Sequence, residues 1–111
     1  MNDETERRTS PRASLFSGIS MVLPDGTVRE ATAFDIGRRG ISIWAEGVRP
    51  QRAIRLTIPL SDGGPDLVVE GHVVREFESD GGAVWGIEFT NLAPTDAERI
   101  TRFVEATEGG T

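Results

Sequence analysis

The sequence has no cysteine, no lysine and no tyrosine, and a single histidine, His72. Without cysteine there is no disulfide, no thiolate nucleophile and no zinc site built on sulfur. One histidine with no cysteine near it argues against a metal site, and His72 is read as a residue on a strand face. With no lysine or cysteine to help, no nucleophile finds an activating base in a fixed arrangement, so the chain is not expected to be an enzyme. Carboxylate pairs such as Asp62 with Asp66, or Asp96 with Glu98, fall in a turn and in a helix cap, where structural roles suffice. Long apolar runs are missing too, so no membrane-spanning helix is expected. The polar, acidic start Met1–Glu6 lacks the basic residues and apolar stretch of a secretory signal. A cytoplasmic protein without a membrane partner is the expectation.

What the chain does contain is 111 residues, 37% of them hydrophobic, which suits one domain with one modest core. The formal charge of −6 argues against nonspecific binding to nucleic acid or to an anionic membrane. A small barrel that binds single-stranded nucleic acid also needs exposed aromatic rings. Here Trp85, Phe89 and Phe103 fall on core faces. All twelve basic residues are arginine, and five of them lie in two short clusters: Arg7, Arg8 and Arg12, then Arg38 and Arg39. Local positive charge on an acidic protein points to one small anionic ligand rather than a long polyanion.

Along the chain, residues 1–13 show no helical or strand periodicity and are read as a flexible arm, with Pro11 disfavouring a regular element. From Ser14 the pattern has period two. Pro24-Asp25-Gly26-Thr27 is a turn, because proline presets its φ and glycine accepts positive φ. Further strands are predicted over about Val28–Ile36, Ile41–Trp44, Ile54–Leu60, Leu67–Phe77 and Ala83–Phe89, with turn residues between them. Six short strands at this spacing read as a barrel or a sandwich. Thr95-Asp96-Ala97-Glu98 fits a capping box, and Ile100, Phe103 and Val104 follow helical spacing, so a helix is predicted over about Thr95–Ala106. Residues 107–111 are read as a disordered tail, and residues 14–106 as the folded domain.

Two segments combine the residue types that a guanine nucleotide diester needs. They are Arg7-Arg8-Thr9-Ser10-Pro11-Arg12 and Asp35-Ile36-Gly37-Arg38-Arg39-Gly40. A guanidinium fork matches the O6 and N7 acceptors of guanine, at about 1–3 kcal/mol of discrimination per bidentate pair. A glycine-bounded turn offers unobstructed backbone amides to phosphate. A carboxylate such as Asp35 accepts from the guanine N1 and N2 donors, or holds an arginine in place. Trp44, close in sequence to the glycine turn, is read as core or rim packing and is not assigned to the site.

Arg8-x-x-x-Arg12 followed by Asp35-x-Gly37-x-x-Gly40 resembles the paired signature of PilZ domains, R-x-x-x-R and [D/N]-x-S-x-x-G. Glu6-Arg7-Arg8, Pro11 before Arg12, the Asp25-Gly26 turn, Gly86-Ile87-Glu88-Phe89 and the closing helix extend the likeness over residues 6–106. The resemblance implies an all-β fold, a six-stranded antiparallel β-barrel with a short C-terminal α-helix. It implies a cyclic di-GMP receptor with no further cofactor, in which Arg8 and Arg12 grip guanine and phosphate. Asp35, Gly37 and Gly40 would form the opposing wall, and Arg38 and Arg39 would meet phosphate. An arginine just before the first motif, here Arg7, implies an intercalated pair of ligand molecules. A protein effector is expected as the partner, in motility, exopolysaccharide production or virulence. The chain departs from the pattern at Gly37, where the family has serine. That removes a hydroxyl and about 0.5–1.5 kcal/mol of hydrogen bonding. A PilZ-like adaptor that has lost cyclic di-GMP is the alternative this departure raises.

Overall fold

The computed structural model describes residues 12–46, 53–79 and 81–109. Its elements are β1 (Arg12–Val22), β2 (Val28–Gly37), β3 (Gly40–Ala45), β4 (Ile54–Ile58), β5 (Leu67–Ser79), β6 (Gly82–Thr90) and the helix α1 (Pro94–Gly109). Alternating apolar residues give each strand one greasy face, and the six strands bury those faces by closing on themselves in the order β1-β2-β3-β6-β5-β4. Every pairing is antiparallel. The closing seam joins β1 to β4 through Ser20–Thr57, Met21–Leu56 and Val22–Arg55. That seam decides between the two all-β architectures in favour of the barrel. Met21, Ile36, Ile41, Ile43, Leu56, Ile58 and Trp85 are fully buried inside it.

The first hairpin turns as its residues dictate. Gly26 takes φ 87°, the Gly26 N–H donates to Leu23 O at 2.8 Å, and Asp25 Oδ1 accepts from the Thr27 N–H at 2.9 Å. β1 begins at Arg12, so Arg12 and Ala13 belong to the barrel rather than to an arm ending at residue 13. Gly47–Pro50 and most of the predicted arm lie outside the described residues.

α1 starts earlier and ends later than its sequence signals suggest. Pro94 occupies the first helical position, where its missing N–H is no loss, and the Ala97 N–H donates to Ala93 O at 2.9 Å. Thr95 and Glu98 therefore sit inside the first turn instead of flanking it, and Asp96 supplies the negative charge that the helix N-terminus favours. The helix continues to Gly109, with the Thr107 hydroxyl donating to Phe103 O at 2.9 Å, so residues 107–109 are helical and not a tail. Ile100 and Val104 enter the core beside β1 and β2.

A bidentate ion pair fastens this helix to the β4–β5 loop. Arg99 Nε donates to Asp62 Oδ2 at 2.7 Å and Nη2 to Oδ1 at 2.8 Å, while Asp62 Oδ1 also accepts from the Gly64 N–H at 3.1 Å. The Arg99 hydrogen bonds, then the Gly64 amide, hold the Asp62 carboxyl well below the usual carboxylate range. A carboxyl whose native pKa is depressed stabilises the fold above its unfolded pKa, and loses that contribution as the pH falls toward the native value. The pair's contribution should thus be complete above about pH 4 and decline below it. Melting temperatures measured from about pH 6 down to pH 2 should fall less steeply for Asp62→Asn than for the wild type. Parallel acid limbs would remove Asp62 from the account.

Candidate functional site

Three strand irregularities decide what faces outward. The pairing shifts register between Ser14 and Ser17 of β1, between Ala33 and Asp35 of β2, and between Val73 and Arg75 of β5. Ala31 and Ala33 point into the core, and strict alternation would send Asp35 in after them. The bulge at Phe34 inserts one residue, so Ile36 takes the interior position and Phe34 and Asp35 both face outward. On β5, Val69 and Val73 pack on the core, and the bulge at Val74 places Arg75 outside, opposite Gly86. Gly86 faces outward between the inward side chains of Trp85 and Ile87. The result is one row of directly opposed residues across five strands: Ser14, Asp35, Ser42, Gly86 and Arg75.

Arg12 lies over one end of this row. It opens β1 opposite Gly37, and its Nε donates to Asp35 Oδ1 at 2.7 Å. Its Nη2 reaches Gly40 O at 3.4 Å and Ser42 Oγ at 3.5 Å, both long enough to be weak. The side chains are 41% and 37% exposed, so water screens the pair and its value is positional. The two signature motifs are thereby brought into contact, 23 residues apart in sequence.

The turn from Gly37 to Gly40 presents Arg38 and Arg39 to solvent, with Gly37 and Gly40 buried. It is tied to β6 by the Phe89 N–H, which donates to Arg39 O at 2.8 Å. A Cβ on Gly40 would lie 2.1 Å from Ile87 O, so glycine is required here by the close approach of two strands. Beside the turn a cleft of about 330 Å³ opens, lined among others by Arg12, Arg39, Ser42, Arg75, Phe77 and Glu88. Three guanidinium groups thus face one carboxylate across the cleft, a local reversal of the chain's overall charge. Glu88 Oε1 stands 3.5 Å from His72 Nε2, which confirms His72 as an outward strand residue paired across β5 and β6.

Of the residues singled out from sequence, Arg12, Arg39 and Gly40 line this cleft, and Asp35 holds Arg12 beside it. Gly37 and Arg38 belong to the adjoining turn. Arg7 and Arg8 lie outside the described residues. Trp44 is half-buried on the outer surface over Gly82 and is not part of the cleft lining. Sequence reasoning missed Ser42, Arg75, Phe77 and Glu88. For Arg75 a signal existed: the adjacent pair Val73-Val74 breaks the alternation of β5 one residue before it. Among the described residues no cluster of three or more His, Asp or Glu is arranged to hold a metal ion, and no helix is long and apolar enough to cross a membrane.

Comparison with known proteins places this architecture. The structure is similar to Bacillus subtilis MotI/DgrA, an inhibitor of motility, with TM-score 0.80 and 17% identity over 95% of this chain and 53% of that one. It is similar to the PilZ domain of Escherichia coli YcgR, solved with c-di-GMP, with TM-score 0.69 and 16% identity over 94% of this chain and 93% of that domain. It is also similar to the PilZ domain of CeSA from a cellulose-synthesizing bacterium, with TM-score 0.59 and 17% identity over 89% and 99%. At these identities the likeness is one of fold. The chain spans about half the length of MotI/DgrA. Among curated proteins none matches it. The PilZ domain family model matches residues 6–106. With Arg12 of the first signature segment joined to Asp35 of the second on a closed six-stranded barrel, and that match over nearly its whole length, this chain belongs to the PilZ domain family.

Proposed function

We propose that this protein is a receptor for cyclic di-GMP that binds the dinucleotide without transforming it. The observation that carries the reading is Arg12 docked on Asp35 at the mouth of a cleft whose other cations are Arg39 and Arg75. A guanidinium anchored at Nε by a carboxylate turns its remaining N–H groups toward a guanine edge or a phosphate. The missing motif hydroxyl at Gly37 has a neighbour on the same face: Ser42, one strand over, carries a hydroxyl 3.5 Å from Arg12 Nη2. On this reading Arg8 joins Arg12 on the ligand, Arg7 favours a stacked ligand pair, and Arg38 and Arg39 meet phosphate. The segment preceding β1 closes over the bound dinucleotide, at a cost of about 1–2 kcal/mol of backbone entropy per ordered residue. Its closed form is the signal that a protein effector reads. Gly37 is the one observation favouring the second reading, an adaptor that works through protein contacts alone.

Calorimetric titration with cyclic di-GMP separates the two. Micromolar or tighter binding, absent with GTP and lost in the Arg8→Ala, Arg12→Ala double variant, is the expected result, with two ligands per chain at saturation. One ligand per chain would remove the stacked pair and leave the receptor. A folded protein that takes up no dinucleotide would hand the function to the adaptor reading.

A further inference from the structure

The one carboxylate among the described residues that line the cleft is Glu88, set there with Arg12, Arg39 and Arg75. A carboxylate facing an anionic ligand works against binding unless another charge counters it. Asp35, beside the cleft, is countered by Arg12, whose Nε donates to it at 2.7 Å. Glu88 is placed differently. Among the described residues it forms an ion pair with none of the three arginines, and its Oε1 lies instead 3.5 Å from His72 Nε2. The two residues are directly opposed across β5 and β6.

His72 is the chain's one histidine, and the chain has no cysteine. Histidine is the side chain whose charge ordinarily changes between about pH 5 and pH 8. The charged neighbours are of the kinds that keep their charge through that range. Glu70, two residues before His72 on β5, pairs with Arg55 of β4 at 3.6 Å. On the β3 side Glu88 is opposite Gly40, with Arg39 just before it in the turn. Arg75 follows His72 along β5, and Arg12 and Asp35 stand at the cleft's other side. Protonation of His72 therefore adds one positive charge to an otherwise constant set, against the one carboxylate that the cleft exposes. The phosphodiester groups of a cyclic dinucleotide stay negative throughout. Neutral His72 leaves the full charge of Glu88 facing them, and protonated His72 counters it.

We propose that the His72–Glu88 pair makes dinucleotide binding sensitive to pH, tightening it as the pH falls from about 8 to about 6. The proposal rests on the cyclic di-GMP reading and gives the receptor a second input. Linkage makes the effect reciprocal: bound ligand favours the protonated histidine as much as the protonated histidine favours ligand. The side chains are 41% and 55% exposed, so water and salt screen the pair and the response is graded.

The test is calorimetric titration of the full chain with cyclic di-GMP at about pH 6 and about pH 8, at low salt, for the wild type, His72→Gln, His72→Lys and Glu88→Gln. Both positions are exposed, so all three variants should melt near the wild-type temperature. The wild type should bind about three- to tenfold more tightly at the lower pH. His72→Gln should bind at both values as the wild type does at about pH 8, and His72→Lys, with its charge fixed, as the wild type does at about pH 6. Glu88→Gln should bind more tightly than the wild type at about pH 8 and respond less to pH. The ring protons of the one histidine give a separate reading by NMR: their titration midpoint should rise when ligand is added. Wild-type affinity that is unchanged by pH, or that weakens as pH falls, or a pH response that persists in His72→Gln, would overturn the proposal and leave the receptor standing. No binding by the wild type at either pH would overturn both.

Discussion

A Gly40→Val protein should unfold at a much lower urea concentration than the wild type and should take up no cyclic di-GMP where the wild type binds it. A Cβ at this position would sit 2.1 Å from Ile87 O, 3.1 Å from Ile87 C and 3.3 Å from Glu88 Cα. All three are backbone atoms of β6, so no rotamer change relieves the contact. The two strands must part, and with them go the pairings of Gly40 with Glu88 and of Ile41 with Ile87. Ile41 and Ile87 are both in the core, so the separation reaches the buried face of the barrel. Overpacking ordinarily costs 1–3 kcal/mol, and a clash against rigid backbone belongs at the upper end, about 3 kcal/mol. Against a total of about 5–15 kcal/mol for a domain, that is a large share. Gly18, whose Cβ would meet nothing within 4 Å, supplies the control, and Gly18→Ala should unfold near the wild-type midpoint. A wild-type midpoint for Gly40→Val would mean that β3 and β6 do not approach as closely as described.

The second large effect concerns recognition instead of folding. Arg12→Ala should lower cyclic di-GMP affinity about 10–100-fold, the weight of one or two hydrogen bonds to a charged group. Stability should change by no more than about 1 kcal/mol, because the Arg12–Asp35 pair is half-exposed and screened. Asp35→Ala should also weaken binding, through the arginine it holds at 2.7 Å. If Asp35 works by positioning Arg12, the double variant will bind about as poorly as Arg12→Ala alone, a coupling of about 0.5–3 kcal/mol. Additive losses would show that Asp35 meets the ligand independently.

The strands, the turns and the two signature segments were legible because each is written locally, as alternation, as proline and glycine at a turn, or as charge at fixed spacing. The unread parts are all non-local. Arg99 and Asp62 are 37 residues apart, and nothing near either residue names the other. The capping box at Thr95 was outweighed by Pro94, whose fixed φ begins the helix one position sooner. The bulges matter most. Alternation read through Ala31 and Ala33 would bury Asp35, and only the slip at Phe34 makes the signature carboxylate available. Phe34 meets Phe16 edge to face, with ring centroids 6.3 Å apart, so the paired irregularities of β1 and β2 leave an aromatic contact on the outer surface. Phe16 itself sits at φ 21° and is 75% exposed, a backbone setting that no local pattern announces.

The β1–β4 seam has a consequence for the protein effector proposed above. A sheet with a free edge invites a partner to add a strand, and such partners read main-chain hydrogen bonds. The closing seam is short: β4 takes up Ser20–Val22 of β1 and Leu67–Gly71 of β5, so the β4-facing edges of residues 12–19 and 72–79 have no strand partner among the described residues. The proposed effector therefore has main chain to read as well as side chains, because a strand can add at either open edge while the barrel stays closed.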